Sequence, residues 1–265
     1  MTNYTRMQKQ FEKGTPGFDL VRGFALRDRL PLQLRLDVLD VVFDLRPAAR
    51  IMARVEGEVE GLCRELLELR CFISVGKGVR WQRKSHGIAC HDWFEDHGPD
   101  DKLEAMTLLY IGRTETSSIR AREADETRDD NVFARALGYP QCCIDWVAGR
   151  RRVPELAECF DLYTRDGLYD PLLWPGAMAL DAQLTPHYPC SVECADSLKI
   201  TRARLELLKE LECAPVIRRI QDARSVCYVM DAAGRVTAPV AAESLAGVRL
   251  ARPAFPAAQR LNLVP

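Results

Sequence analysis

The chain has almost no net charge, few histidines and no long apolar run, and each shortage excludes a class of protein. With 37 basic and 38 acidic residues, its formal net charge is −1. It carries no overall basic field for nucleic acid and no acidic excess of the kind that keeps a chain disordered. No uninterrupted apolar stretch approaches the ~18 residues that span a bilayer. Met1–Lys13 is polar and lacks the apolar core of a signal peptide. The composition, 47% hydrophobic and 28% charged over 265 residues, is that of a globular protein with room for a substantial core. These features predict a cytoplasmic protein with no membrane partner, disfavour nucleic acid, and leave an unidentified small-molecule or protein substrate.

What the chain does have is cysteine, ten in all. In a reducing compartment that number favours metal ligation or thiol catalysis over a disulfide framework. Cys63, Cys159, Cys213 and Cys227 each stand alone in a periodic segment and read as small buried hydrophobes. The other reading belongs to two pairs. Gly138-Tyr139-Pro140-Gln141-Cys142-Cys143 is echoed by His187-Tyr188-Pro189-Cys190-Ser191-Val192-Glu193-Cys194.

Pro140 suits the first helical position, and Gly138 before it allows a sharp turn. Cys142 and Cys143 then fall in a first helical turn, where free amides and the helix dipole favour a thiolate. Ser191 as N-cap would put Cys194 at the third helical position. Four thiolates from two helix starts suit zinc or an iron–sulfur cluster. Cys190-x3-Cys194 fits structural zinc spacing, whereas adjacent cysteines point apart and make one small ion awkward for both Cys142 and Cys143. That contrast favours a cluster, of the 4Fe–4S kind, with His187 and Ser191 as candidate catalytic partners. The competing roles are a backbone contact for His187 and a core position for one of Cys142 and Cys143.

Elsewhere the pattern is mostly scaffold. Residues 1–30 read as an arm, and Leu32–Leu45 as a helix after Pro31. Met52, Val55, Val59, Leu62, Leu66 and Leu69 form one stripe of a helix over Pro47–Arg70. Cys71–Val75 and Met106–Ile111 read as strands, the second closed by Gly112, followed by a charged helix over Glu115–Thr127 and a short one from Val132 capped by Asn131. Between the strands, Lys77, Arg80, Arg83 and Lys84 precede His86, Cys90, His91 and His97. The spacing matches no zinc signature, so Lys77, Arg80, Arg83, His86 and His91 are candidate substrate contacts for an anionic group. Gly76-Lys77-Gly78 lacks the Walker spacing and is no phosphate loop. A helix over Ala195–Cys213 ends at Ala214-Pro215, and Val226–Met230 with Val236–Val240 gives a hairpin signal.

The run Leu137-Gly138-Tyr139-Pro140-x-Cys142-Cys143 with Pro189-Cys190-x-x-x-Cys194 resembles an uncharacterised prokaryotic family that shares those two motifs. The resemblance covers about residues 106–213 and implies the paired site without naming a reaction.

The expected fold is α/β, with α+β as the alternative. It is helix-rich, with a small sheet near residues 71–111 and a C-terminal β-hairpin. Four portions are expected: 1–70 a helical lead, 71–130 a small α/β portion, 131–215 the cysteine-bearing helices, and 216–265 the hairpin and tail. The expected function is an iron–sulfur enzyme of the sulfur-transfer or non-redox cluster type. The alternatives are a zinc-stabilised module (Zn2+ at the same cysteines) engaging an acidic partner, and a metal-free thiol enzyme.

Overall fold

The computed structural model describes residues 10–55, 57–77, 80–83, 93–94, 103–150, 173, 183–191, 193–230, 236–241 and 260–262. The chain divides into two compact units, Met1–Tyr139 and Pro140–Pro265. It is helix-rich, and every strand pairing described is antiparallel.

The first unit opens with helix α1 (Pro16–Ala25) rather than an arm. Gly14, Pro16 and Gly17 belong to a start signal, not a loop. The Thr15 hydroxyl accepts from the Phe18 N–H at 3.2 Å, and Pro16 takes the first helical position, where its missing N–H costs nothing. Helix α2 (Leu32–Val42) follows Pro31 as expected and buries Leu32, Leu36, Val38, Leu39, Val41 and Val42.

The single helix expected over Pro47–Arg70 is instead a strand and a helix. Strand β1 (Ala48–Arg54) pairs along its whole length with the ten-residue β5 (Leu103–Gly112), from Ala48 opposite Gly112 to Arg54 opposite Met106. Ala49, Ile51 and Ala53 are all buried, an alternation of two that shares Ile51's surroundings with no helical stripe. Gly57, at φ +81°, breaks the run, and helix α3 (Val59–Glu68) keeps Leu62 and Leu66 inside. The stripe was real only from Val59 onward.

Strands β2 (Phe72–Val75) and β3 (Arg80–Arg83) pair with successive stretches of β5, and β4 (Trp93–Phe94) pairs with β3. The sheet therefore begins at Ala48, well before the expected 71–111 region. Its order is β1-β5-β3-β4, with β2 also on β5. At the end of β5, a Cβ on Gly112 would stand 2.6 Å from the Ser118 backbone nitrogen, so this strand end must be glycine for the next helix to start so close.

That helix, α4 (Glu115–Glu126), is capped reciprocally by Thr114 and Ser117. Helix α5 (Asp130–Ala136) is capped by Asp129, whose carboxylate accepts from the Asn131 and Val132 N–H groups, and not by Asn131. Ala121, Ala124, Phe133 and Leu137 pack with Ala48, Leu108 and Tyr110 into one cluster, joined by Tyr139. Beneath it, Arg46 is buried between two carboxylates, 2.6 Å from Asp40 and 2.5 Å from Asp37. Burial works against its charge, but the two carboxylates outweigh that and hold the guanidinium more firmly protonated than usual.

The second unit contains α6 (Gln141–Ala148), α7 (Ala195–Glu210) and α8 (Ala214–Ser225). Ala214-Pro215 does not simply end α7; it starts α8, because proline is tolerated in a first turn. Strands β6 (Val226–Met230), β7 (Val236–Ala241) and β8 (Arg260–Asn262) form a sheet in the order β7-β6-β8. The turn of the expected hairpin, 231–235, lies outside the described residues.

Candidate metal centre

The Leu137-Gly138-Tyr139-Pro140 run works as a helix stop joined directly to a helix start. Gly138 sits at φ +75° just beyond α5. Its N–H donates to the Arg135 carbonyl at 3.0 Å, and the Tyr139 N–H donates to the Ala134 carbonyl at 3.1 Å. Those two bonds close the last turn in the pattern that favours glycine. A Cβ on Gly138 would also stand 2.6 Å from Cδ of Pro47, so two independent reasons demand glycine here. Pro140 is the N-cap of α6 rather than its first residue, at φ −59° and ψ 135°. Its carbonyl accepts from both the Cys143 and Ile144 N–H groups at 3.0 Å. Cys142 and Cys143 consequently occupy the second and third positions of the helix, as expected.

The second half differs in one detail. Cys194, not Ser191, is the N-cap of α7. Ser191 is exposed, and its carbonyl accepts from the Cys194 N–H at 3.3 Å. This small turn folds Cys190 and Cys194 back towards one place.

The four thiols converge. All four sulfurs lie within 4.8 Å of one another. Cys143 and Cys194 are 3.6 Å apart, Cys142 and Cys194 are 3.7 Å apart, and the adjacent Cys142 and Cys143 are 3.9 Å apart. Neighbouring cysteines therefore can address one point. Each Cα–Cβ bond diverges from the helix, but rotation about χ1 swings the two sulfurs back together. Their environments differ: Cys143 and Cys194 are 3% and 6% exposed, Cys190 is half-buried, and Cys142 is open to solvent. Leu173 and Leu198 complete the apolar side.

Hydrogen bonds to the sulfurs are uneven as well. Cys143 Sγ takes the Cys190 backbone N–H at 3.3 Å and lies 3.4 Å from the Ser197 hydroxyl. Ser197, fully buried one turn into α7, also lies 2.9 Å from Nε2 of His187. Cys142 instead faces the Asp196 carboxylate at 3.8 Å.

Burial pushes the Cys142 thiol up, and pushes Cys190 up to about 12 with the help of Cys194. Cys143 also rises through burial, although Ser197 and the Cys190 N–H oppose it. Burial also acts upward on Cys194, but the Ser197 hydroxyl and backbone N–H, with the Cys190 and Cys143 thiols, bring it down to about 7. One thiol of the four is thus ready to ionise at neutral pH.

His187 is buried and is linked to Cys143 through Ser197, a residue that sequence reasoning missed. Its position three residues after Cys194 was the available signal. Of the candidate substrate contacts, Lys77 is 82% exposed and pairs with Glu126 at 2.8 Å. Arg80 and Arg83 are positions on β3, and His86, His91, Cys90 and His97 lie outside the described residues. All belong to the first unit, whereas the four cysteines belong to the second. Of the isolated cysteines, Cys213 is fully buried and Cys63 half-buried, while the side chains of Cys159 and Cys227 lie outside the described residues.

No family model, curated protein or solved structure matches the chain. No described helix is long and apolar enough to cross a membrane. The geometry defines a four-cysteine site able to hold a metal ion.

Proposed function

We propose that Cys142, Cys143, Cys190 and Cys194 bind one tetrahedral ion, zinc in the first instance, and that this ion holds the second unit folded. The observation that carries the reading is the sulfur spacing. A zinc ion about 2.3 Å from each sulfur sets tetrahedral edges of about 3.8 Å. Three of the six sulfur pairs, those among Cys142, Cys143 and Cys194, stand at 3.6, 3.7 and 3.9 Å and match that edge, and Cys190 Sγ lies within 4.8 Å of the other three. A cluster that takes each thiolate on a different iron needs its ligand sulfurs spread more widely. The spacing therefore favours the single ion over the iron–sulfur enzyme that the motif first suggests.

A four-thiolate set leaves no open position, which is the mark of a structural site. It would join the start of α6 to the 187–194 turn that leads into α7, two pieces 47 residues apart in the chain. The family whose motifs this chain resembles would use them in the same way: Leu137, Gly138 and Pro140 as stop and start, the cysteines as ligands. The thiols must stay reduced for this, so the reading also places the protein in a reducing compartment such as the cytoplasm.

Metal analysis of anaerobically isolated protein tests it. One zinc per chain and a colourless solution are expected, with that zinc lost in Cys190→Ser. Several irons with acid-labile sulfide, and broad absorbance near about 400 nm from thiolate-to-iron charge transfer, would overturn the single-ion reading and restore the cluster.

A further inference from the structure

The four sulfurs are not equivalent, and the asymmetry has a chemical meaning. A hydrogen bond to a metal-bound thiolate drains its electron density and weakens it as a nucleophile. Cys143 receives the Cys190 N–H at 3.3 Å and the Ser197 hydroxyl at 3.4 Å. Cys194 is 6% exposed and packs with Cys143 and Leu173. Among the described residues, Cys142 meets only neighbouring thiols and the Asp196 carboxylate at 3.8 Å. A carboxylate supplies no proton to a thiolate and adds negative charge beside it. Cys142 is also the one ligand candidate of the four that is exposed.

We infer that Cys142 is the reactive thiolate of this centre, an acceptor for a small alkyl electrophile. The inference rests on the metal reading above. Four thiolates on a dication leave excess negative charge at the site, and alkylating one sulfur relieves part of it. A lone pair on Cys142 Sγ forms the new S–C bond, and the bond from carbon to its leaving group breaks, with the electron pair departing on that group. The sulfur ends as a neutral thioether. No proton moves and no oxidant or reductant is required. Coordination to the metal would hold the sulfur as a thiolate. Cys143 is shielded from the same attack by burial and by its hydrogen bonds, and Cys194 by burial.

The test uses the zinc-loaded full chain at pH 7, methyl iodide as the electrophile, and peptide mass spectrometry to place the methyl group. A single methyl on Cys142 is expected, formed at least tenfold faster than any on the half-buried Cys63. Removing zinc with a chelator should slow Cys142 methylation at least tenfold. Asp196→Asn, an isosteric change at an exposed position that is not a ligand, should slow it severalfold with zinc still bound. Methylation of Cys142 that is as fast or faster after chelation overturns the inference, because the metal then shields the sulfur rather than activating it. Methyl groups appearing first on Cys143, Cys190 or Cys194 overturn it too. A chain that holds no zinc before methyl iodide is added fails the metal reading itself, and that result is separately visible.

Discussion

Ser197 stands between His187 and the thiolates, its hydroxyl 2.9 Å from the imidazole Nε2 and 3.4 Å from Cys143 Sγ. A metal-bound cysteine sulfur can only accept. The Ser197 hydroxyl must then donate to Cys143 and accept from His187, which fixes the proton of that histidine on Nε2. Nitrogen-15 NMR of the zinc-loaded protein should show His187 Nε2 as the protonated nitrogen. Ser197→Ala should weaken zinc binding about 10–100-fold, the range seen when a partner of a metal ligand is removed. Chelator competition measures this, and Ser197→Thr should recover most of the loss.

The pH dependence of stability should differ with and without metal. In the zinc-free protein, Cys142, Cys143, Cys190 and the buried Cys71 (pushed up to about 12 by burial) have folded pKa values above the unfolded one. Their contribution is complete below about pH 8.5, the ordinary thiol value. It is lost as pH rises towards about 12, the raised value for Cys190 and Cys71. Cys194, brought down to about 7, runs the other way and loses its contribution as pH falls through that value. With zinc bound, all four thiols are ionised when folded and protonated when unfolded, so stability falls towards acid instead. Thermal unfolding with and without chelator separates the two. Above about pH 8.5 the zinc-free protein should lose stability while the zinc-loaded protein holds level. From about pH 8.5 down to about pH 6 the zinc-loaded protein should lose stability more steeply, through four thiols rather than Cys194 alone.

Gly138→Ala should destabilise the first unit by about 2 kcal/mol or more. Left-handed backbone alone costs a non-glycine residue about 1–2 kcal/mol. The added methyl would also meet Pro47 Cδ at 2.6 Å, against a ring that cannot rotate away. Urea denaturation checks the loss.

Asp40→Ala should cost about 3–5 kcal/mol, because it leaves the buried Arg46 charge with half its compensation. Asp40 is fully buried, and its backbone carbonyl also closes the turn by accepting from the Leu45 and Arg46 N–H groups. Replacing Asp40 and Arg46 together by apolar residues should be milder than Asp40→Ala alone, and the same denaturation curves decide it.

The candidate site was more legible in the sequence than the fold. Cysteines announce themselves by spacing, and a Tyr-Pro pair stands just before each half of the site. The relation between Cys142 and Cys143 was misjudged because it depends on side-chain rotation, which no spacing rule contains. Ser197 had only a faint signal, its place three residues after Cys194, because a serine inside a helix has no evident partner until its neighbours are placed. In the fold, β1 was lost to Val55 and Met52, which extend the stripe of α3 backwards by accident. Only pairing with β5 decides that Ala48–Arg54 is extended, and a pairing so distant in sequence leaves little local trace. Helix α1 had its signal in Thr15-Pro16, which was read as loop because glycines flank it.

Strand β5 carries a further consequence, one of timing. It is the common partner of β1, β2 and β3, yet it follows all three in the chain. On a ribosome delivering the chain from its N-terminus, β1 and β2 emerge before the strand they pair with, β3 meets only the two-residue β4, and Ala48 must wait for Gly112. Until then Ile51 and Ala53, buried in the finished sheet, have no β5 to pair with. The late arrival of a single segment therefore gates the whole first unit, and this interval is when the nascent chain has most need of a chaperone.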